Sequence, residues 1–196
     1  MQMSGSGTPV GAGRGTEGSC ATEWRQTKRG AGDATAEARG DVGSMANETQ
    51  NQQDYAGDLS PLQAWDLLAS DGAAVLVDVR SRPEWSFVGV PDLTTLAKKP
   101  LLVAWQHWTA NAQGAAMVAN PAFAEEVATV APSKNAPVIF LCRSGARSRA
   151  AATAMARLGY TRAYNLAGGF EGVHDGARHR GRLDGWKAAG LPWTQD

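Results

Sequence analysis

An apolar run, Val138-Ile139-Phe140-Leu141, stops at a cysteine and is followed by Arg143-Ser144-Gly145-Ala146-Arg147-Ser148 and an alanine-rich stretch. This succession restricts the chain to folds in which a buried strand feeds a short turn and then a helix. Four consecutive apolar residues without polar alternation suit a strand covered on both faces. The turn places Cys142 where backbone N–H groups and the positive end of a helix converge. With Arg143 and Arg147 close by, such a setting stabilises a thiolate, the nucleophilic form of cysteine. A lone strand-end cysteine is more often mere packing, and the flanking Arg, Gly, Arg and Ser reverse that balance.

Strand and helix signals alternate from Leu59 onward, which predicts an α/β layer with a mainly parallel sheet. Ser60-Pro61 reads as an N-cap followed by proline at the first helical position, and Leu62, Trp65, Leu67 and Leu68 mark a helical apolar face. Ala73 to Val77 and Leu101 to Ala104 read as strands, Pro83 as the start of a short helix, and Asn120-Pro121 as the cap of a helix reaching about Val130. Ser148 to Leu158 is expected to be helical and to stop at Gly159. Arg162 to Leu166 supplies a further parallel strand, broken by Gly168-Gly169, and a last helix covers about Leu183 to Ala189.

Residues 1–54 are of another character. They hold ten of the 23 glycines, one aromatic residue (Trp24) and almost no large aliphatic side chains. Such a segment buries too little to fold and is expected to be a disordered tail ahead of a domain at 55–196. Met45 offers an alternative translation start, with residues 1–44 an upstream extension, which the mass of the native N-terminus decides. The formal charge is zero, with 19 basic and 19 acidic residues in no long block, so neither a nucleic-acid nor a membrane partner is implied. Two cysteines in such different segments, Cys20 and Cys142, argue against a disulfide framework or metal cluster and for a reducing compartment. With no long apolar run or secretion signal, a cytoplasmic location is expected.

The segment from Cys142 to Ser148 resembles the active-site loop of rhodanese-like sulfurtransferases, in the C-R-x-G-x-R-S form seen in many single-domain members. Val75-Leu76-Val77-Asp78-Val79-Arg80 with Glu84-Trp85, and Ala163 to Phe170, are similar to two further motifs of that family. The likeness runs from about Leu59 to Trp193. It implies a rhodanese-like open, mainly parallel five-stranded sheet with helices on both faces. It also implies a sulfurtransferase of the thiosulfate:cyanide type, which carries sulfane sulfur as a persulfide on Cys142. The donor would be thiosulfate or an organic persulfide and the acceptor a thiol or cyanide; no cofactor and no metal are implied. The backbone of Arg143, Ser144, Gly145, Ala146, Arg147 and Ser148 would cradle the sulfur, with Arg143 and Arg147 supplying charge for an anionic donor and Ser148 capping the helix. Asp78, Arg80 and Glu84 read as a supporting ion network, with Arg80 paired to Glu84, and Gly168 and Gly169 as neighbours of the pocket.

Two other readings carry less weight. One is a module that binds a dedicated protein partner or relays sulfur to it. The other is a Cdc25-like phosphatase or arsenate reductase, disfavoured because Cys142 and Arg147 are spaced C-x4-R where that chemistry needs C-x5-R. Gly89-Val90-Pro91-Asp92 departs from the family's Gly-His-Ile-Pro-Gly-Ala stretch, so donor entry is expected to differ. Segments 105–117 and 171–182 read as insertions framing the pocket. The second carries His174, Arg178, His179, Arg180 and Arg182, a basic loop rather than a metal site.

Overall fold

Strand β2 (Val75–Asp78) lies between two parallel neighbours, and its residues 76–78 are fully buried because both faces of the sheet are covered. The structure is a computed structural model that describes residues 54–111 and 114–195. The expectations for the N-terminal tail, Met45, Cys20 and Trp24 lie outside the described residues. Five strands form the main sheet: β1 (Gly57–Leu59), β2, β4 (Leu101–Leu102), β7 (Val138–Leu141) and β8 (Ala163–Leu166), in the order β1-β8-β7-β2-β4. Every pairing in it is parallel, with Val75 opposite Val138 and Val138 opposite Ala163.

Alternation along the central strands divides the interior into two cores. Val77, Phe140 and Cys142 point to one face, where they meet Phe123 and Val127 of α3 (Phe123–Val130) and Ala151, Ala152 and Met155 of α4 (Ala146–Arg157). Leu76, Ile139 and Leu141 point to the other, against Ala64 and Leu68 of α1 (Pro61–Ser70) and Trp186 of α5 (Gly185–Ala188). Each fully buried Val, Leu, Ile, Phe or Met side chain among them contributes about 1.5–3 kcal/mol of transfer free energy. The expected open parallel sheet with helices on both faces is thus what forms.

Local signals set the helix starts. Ser60 Oγ accepts from Gln63 N–H at 3.3 Å and Gln63 Oε1 accepts from Ser60 N–H at 2.9 Å, a capping box that starts α1 with Pro61 at its first position. Helix α2 (Arg82–Val88) begins in the same way on Ser81 and Glu84, one residue before Pro83. Asn120 does not cap α3 directly: its Oδ1 accepts from Ala122 N–H, turning the chain ahead of Phe123.

Several elements differ from expectation. Helix α4 starts at Ala146 rather than Ser148, because Gly145 at φ +99° turns the chain into the helix directly. The strand at 101 closes after Leu102, although Val103 and Trp105 still donate N–H bonds to Asp78 and Val79. Two additional ribbons form. Val90–Pro91 (β3) pairs antiparallel with Trp193–Thr194 (β9), and the segment read as an insertion at 105–117 falls in a hairpin of β5 (Gln106–Asn111) and β6 (Gly114–Ala119) with Trp108 opposite Met117.

Candidate active site

Cys142 follows β7 directly and is 1% exposed, so its sulfur belongs to the packed interior as well as to the loop. Gly145 N–H donates to Cys142 Sγ at 3.2 Å, and Ser148 Oγ stands 3.2 Å from the same sulfur. The carbonyls of the loop are tied back by the next segment: Phe170 N–H donates to Cys142 O at 2.7 Å and Glu171 N–H to Arg143 O at 2.9 Å. Gly169, at φ +60°, lets that segment lie directly beneath the loop, since a Cβ there would stand 2.7 Å from Arg143 C and Ser144 N. Gly168, also at positive φ, packs in the same way on Gly185. Gly169 therefore supports the loop by close backbone approach, whereas Gly168 packs against the start of α5.

Ser148 does not cap the helix. It occupies the first turn of α4, fully buried, with its hydroxyl 2.7 Å from Asn165 Oδ1 and 3.1 Å from Gly145 O. Asn165 on β8 in turn donates Nδ2–H to Asp58 Oδ1 at 2.8 Å. Neither Asn165 nor Asp58 was expected at the site; the available signal was one amide in the otherwise apolar buried strand 163–166.

Arg147 is held by Glu84 through Nη1–Oε2 and Nη2–Oε1 bonds of 2.9 and 2.6 Å. Glu84 Oε2 also accepts from Ser81 N–H at 2.9 Å and Ser81 Oγ–H at 2.7 Å. Burial favours the neutral acid, but these donors and the Arg147 charge outweigh it and hold the Glu84 carboxyl at about 2. Burial likewise opposes the Arg147 charge, and Glu84, followed by Cys142, more than restores it.

The expected Arg80–Glu84 pair does not form. Arg80 turns back to Asp78 instead, with both side chains fully buried: Nε–Oδ1 is 2.9 Å and Nη2–Oδ2 2.6 Å. Arg80 Nη2 also donates to Gly89 O at 2.7 Å, and its guanidinium carbon lies 4.1 Å from the Phe170 ring centroid. The single ion network expected from sequence is two separate ones, Asp78–Arg80 under the sheet end and Glu84–Arg147 at the loop.

A cavity of about 590 Å³ opens beside the loop, lined by Arg143 and Arg147, by Glu84, Phe87 and Val88 of α2, by Trp108 and Met117 of the hairpin, and by Glu171 and Arg180. Both inserted segments therefore contribute walls. Cys142 itself does not line it, because the loop backbone covers the sulfur. Arg143 is exposed, and its side chain makes no hydrogen bond among the described residues, whereas the charge of Arg147 is shared with Glu84. Ser144 is half-buried and Ala146 exposed. In the 171–182 loop, Asp175 accepts from the N–H groups of Ala177 and His179 and pairs with Arg182. His174 and His179 are exposed, and no group of three or more metal-ligating side chains occurs among the described residues. None of the helices described is long and apolar enough to cross a membrane.

The family model for the Rhodanese-like domain matches residues 60–175. An uncharacterised protein of Rickettsia rickettsii is 37% identical over 132 residues, spanning 67% of this chain and 91% of its own. The thiosulfate sulfurtransferase GlpE of Actinobacillus succinogenes is 30% identical over 135 residues, spanning 69% of this chain and 87% of its own. Among solved structures, the crystal structure of Rv0390 from M. tuberculosis superposes with a TM-score of 0.62 at 46% identity, covering 72% of this chain and 99% of that one.

Proposed function

The chain belongs to the Rhodanese-like domain family, and on that premise we propose that it is a sulfurtransferase whose carrier is Cys142. The thiolate attacks the outer sulfur of thiosulfate or an organic persulfide. The S–S bond of the donor breaks, sulfite or the donor thiolate leaves with the electron pair, and Cys142 becomes a persulfide. Cyanide or a thiolate acceptor then attacks the outer sulfur, and the Cys142 thiolate leaves. No cofactor takes part. The observation that carries this reading is the Cys142 sulfur held 3.2 Å from Gly145 N–H at the entrance to α4, where a fixed dipole stabilises an anion. Arg143, exposed at the cavity wall, supplies the charge that draws in an anionic donor. Engagement of Arg147 by Glu84 supports sulfur transfer over phosphate hydrolysis, in which an arginine must close around the oxyanion.

A second reading, relay of sulfur to a dedicated protein acceptor, draws support from Phe87 and Trp108, which are 78% and 55% exposed at the cavity. Large apolar side chains left in solvent beside a reactive loop suit a macromolecular partner. A cytoplasmic location fits either reading, since a free thiol persists in a reducing compartment.

Intact-protein mass spectrometry after incubation with thiosulfate tests the proposal. A sulfur-sized mass gain in the wild type, absent in Cys142→Ser and discharged by cyanide or a thiol, is expected. Failure of Cys142 to gain sulfur from thiosulfate and from organic persulfides, in a folded protein with a free thiol, would overturn it.

A further inference from the structure

One proton on Ser148 faces three acceptors. Its Oγ lies 2.7 Å from Asn165 Oδ1, 3.1 Å from Gly145 O and 3.2 Å from Cys142 Sγ. Which acceptor receives it follows from the far end of the chain of contacts. The Asp58 carboxylate accepts from Tyr55 O–H at 2.7 Å and from Arg149 Nη2–H at 3.0 Å. Burial raises the Asp58 carboxyl, but its donors Tyr55, Asn165 and Arg149 together hold it below the usual range, so it is an ionised, acceptor-only group. Its neighbour at 2.8 Å must therefore be the NH2 end of Asn165, which turns Oδ1 toward Ser148 and obliges the hydroxyl to donate there. Ser148 then offers the sulfur only a lone pair, which suits a thiol and not a thiolate.

We propose that Ser148 is a two-position donor set by Asn165 and Asp58: its hydroxyl points to Asn165 while Cys142 is a thiol and swings to the sulfur when it is ionised. The swing leaves Asn165 Oδ1, on a side chain 1% exposed, without that partner. Forming the anion therefore costs about one buried hydrogen bond. Asn165 and Asp58 are positioning residues that restrain the thiolate, while Gly145 N–H supports the sulfur in both states. No net proton moves to the protein: the thiol proton goes to solvent and the hydroxyl proton only reorients. The consequence for turnover rests on the function proposed above, but the switch itself does not. A thiolate held less tightly is the stronger nucleophile and the poorer leaving group, so the restraint favours attack on the donor over discharge to the acceptor.

The test is the pH dependence of Cys142 alkylation by iodoacetamide, in which an S–C bond forms and iodide leaves. The full chain is used and the Cys142 peptide is followed by mass so that Cys20 does not contribute. Asn165→Leu, similar in shape and without the acceptor, frees the hydroxyl and is expected to move the profile to lower pH by roughly half a unit to one unit. In a Ser148→Ala background the same substitution should move it by less than about a fifth of that. Asp58→Asn, at a partly exposed strand end, lets the Asn165 amide reverse and should shift the profile in the same direction. That shift must likewise lose its hydroxyl-dependent part beside Ser148→Ala, which separates it from the change in charge. Asp58→Asn also carries the test if Asn165→Leu does not fold. The charged groups of the loop and of the elements beside it stay fixed in the Asn165 cycle: Arg143 in the loop, Arg147 and Arg149 in α4, Asp78 at the end of β2, Arg80 just beyond it, Glu84 in α2 and Glu171 beyond β8. A shift to higher pH, no shift, or an equal shift with and without the Ser148 hydroxyl would overturn the proposal. None of these outcomes depends on whether sulfur is transferred.

Discussion

Glu84 and Arg147, 63 positions apart, are joined by two hydrogen bonds that tie the first turn of α2 to the first turn of α4. The carboxylate also closes the capping box of α2 through Ser81 N–H. One side chain therefore fixes the start of a helix and the orientation of the Cys142 loop together.

The depressed Glu84 carboxyl makes stability depend on pH. Its ordinary value of 4.5 falls to about 2 in the folded protein, so the stabilisation is fully present above about pH 5 and is lost as pH falls through 2. The pair is partly exposed, so its contribution is on the order of 1–2 kcal/mol after screening. Urea midpoints should drop between pH 5 and pH 2.5 in the wild type. Glu84→Gln should flatten part of that drop, and an unchanged slope would count against the pairing.

Arg80 is expected to matter for stability before reactivity. Arg80→Ala leaves the Asp78 carboxylate fully buried without its counter-charge, a loss of about 3–5 kcal/mol. Chemical denaturation of Asp78→Asn should show a loss at least as large, because Arg80, also fully buried and unable to give up its proton, is then the charge left without a partner. Equal small losses in both would contradict this account.

Backbone approach separates two glycines of similar conformation. Gly190 at φ +70° has nothing within 4 Å of an added Cβ, so Gly190→Ala should cost only the backbone strain of about 1 kcal/mol. Gly169→Ala adds a clash with the backbone of Arg143 and Ser144, and should cost several times as much and slow Cys142 alkylation. Thermal unfolding and thiol kinetics of the two variants make the comparison.

Trp108 lies on an outer wall of the cavity, away from both cores. Trp108→Ala should leave the melting temperature nearly unchanged and weaken use of donors with an apolar body by roughly fivefold, the worth of about 1 kcal/mol of contact. Thiosulfate, with no such body, should respond less. A ratio of kcat/KM values that does not change between the two donor types would remove Trp108 from donor binding.

Short-range features were the legible ones. The run 138–141, the Ser60-Pro61 cap and Gly168-Gly169 each declare themselves within a few residues, and all three are found where expected. Pairings across the fold were not legible: nothing near Ser148 marks Asn165 as its partner, and nothing near Arg147 marks Glu84. Arg80 and Glu84 misled because they stand four apart, whereas Arg80 at the strand end reaches back to a nearer carboxylate two residues away. Strand β1 has three residues, one a glycine and one an aspartate, and forms because β8 offers it an edge. The hairpin at 106–119 escaped notice because Ala110, Ala115 and Ala116 give little β-propensity.

The Cys142 sulfur lies within one of the two cores, in the same cluster as Phe140, Ala151 and Met155. An atom in that position is read by its volume as well as by its charge, since close-packed interiors register the addition of a single heavy atom. A protein that loads and unloads sulfur there would alternate between two packings of one interior, each cycle a covalent small-to-large exchange and its reversal. Melting temperature then becomes a gauge of cargo.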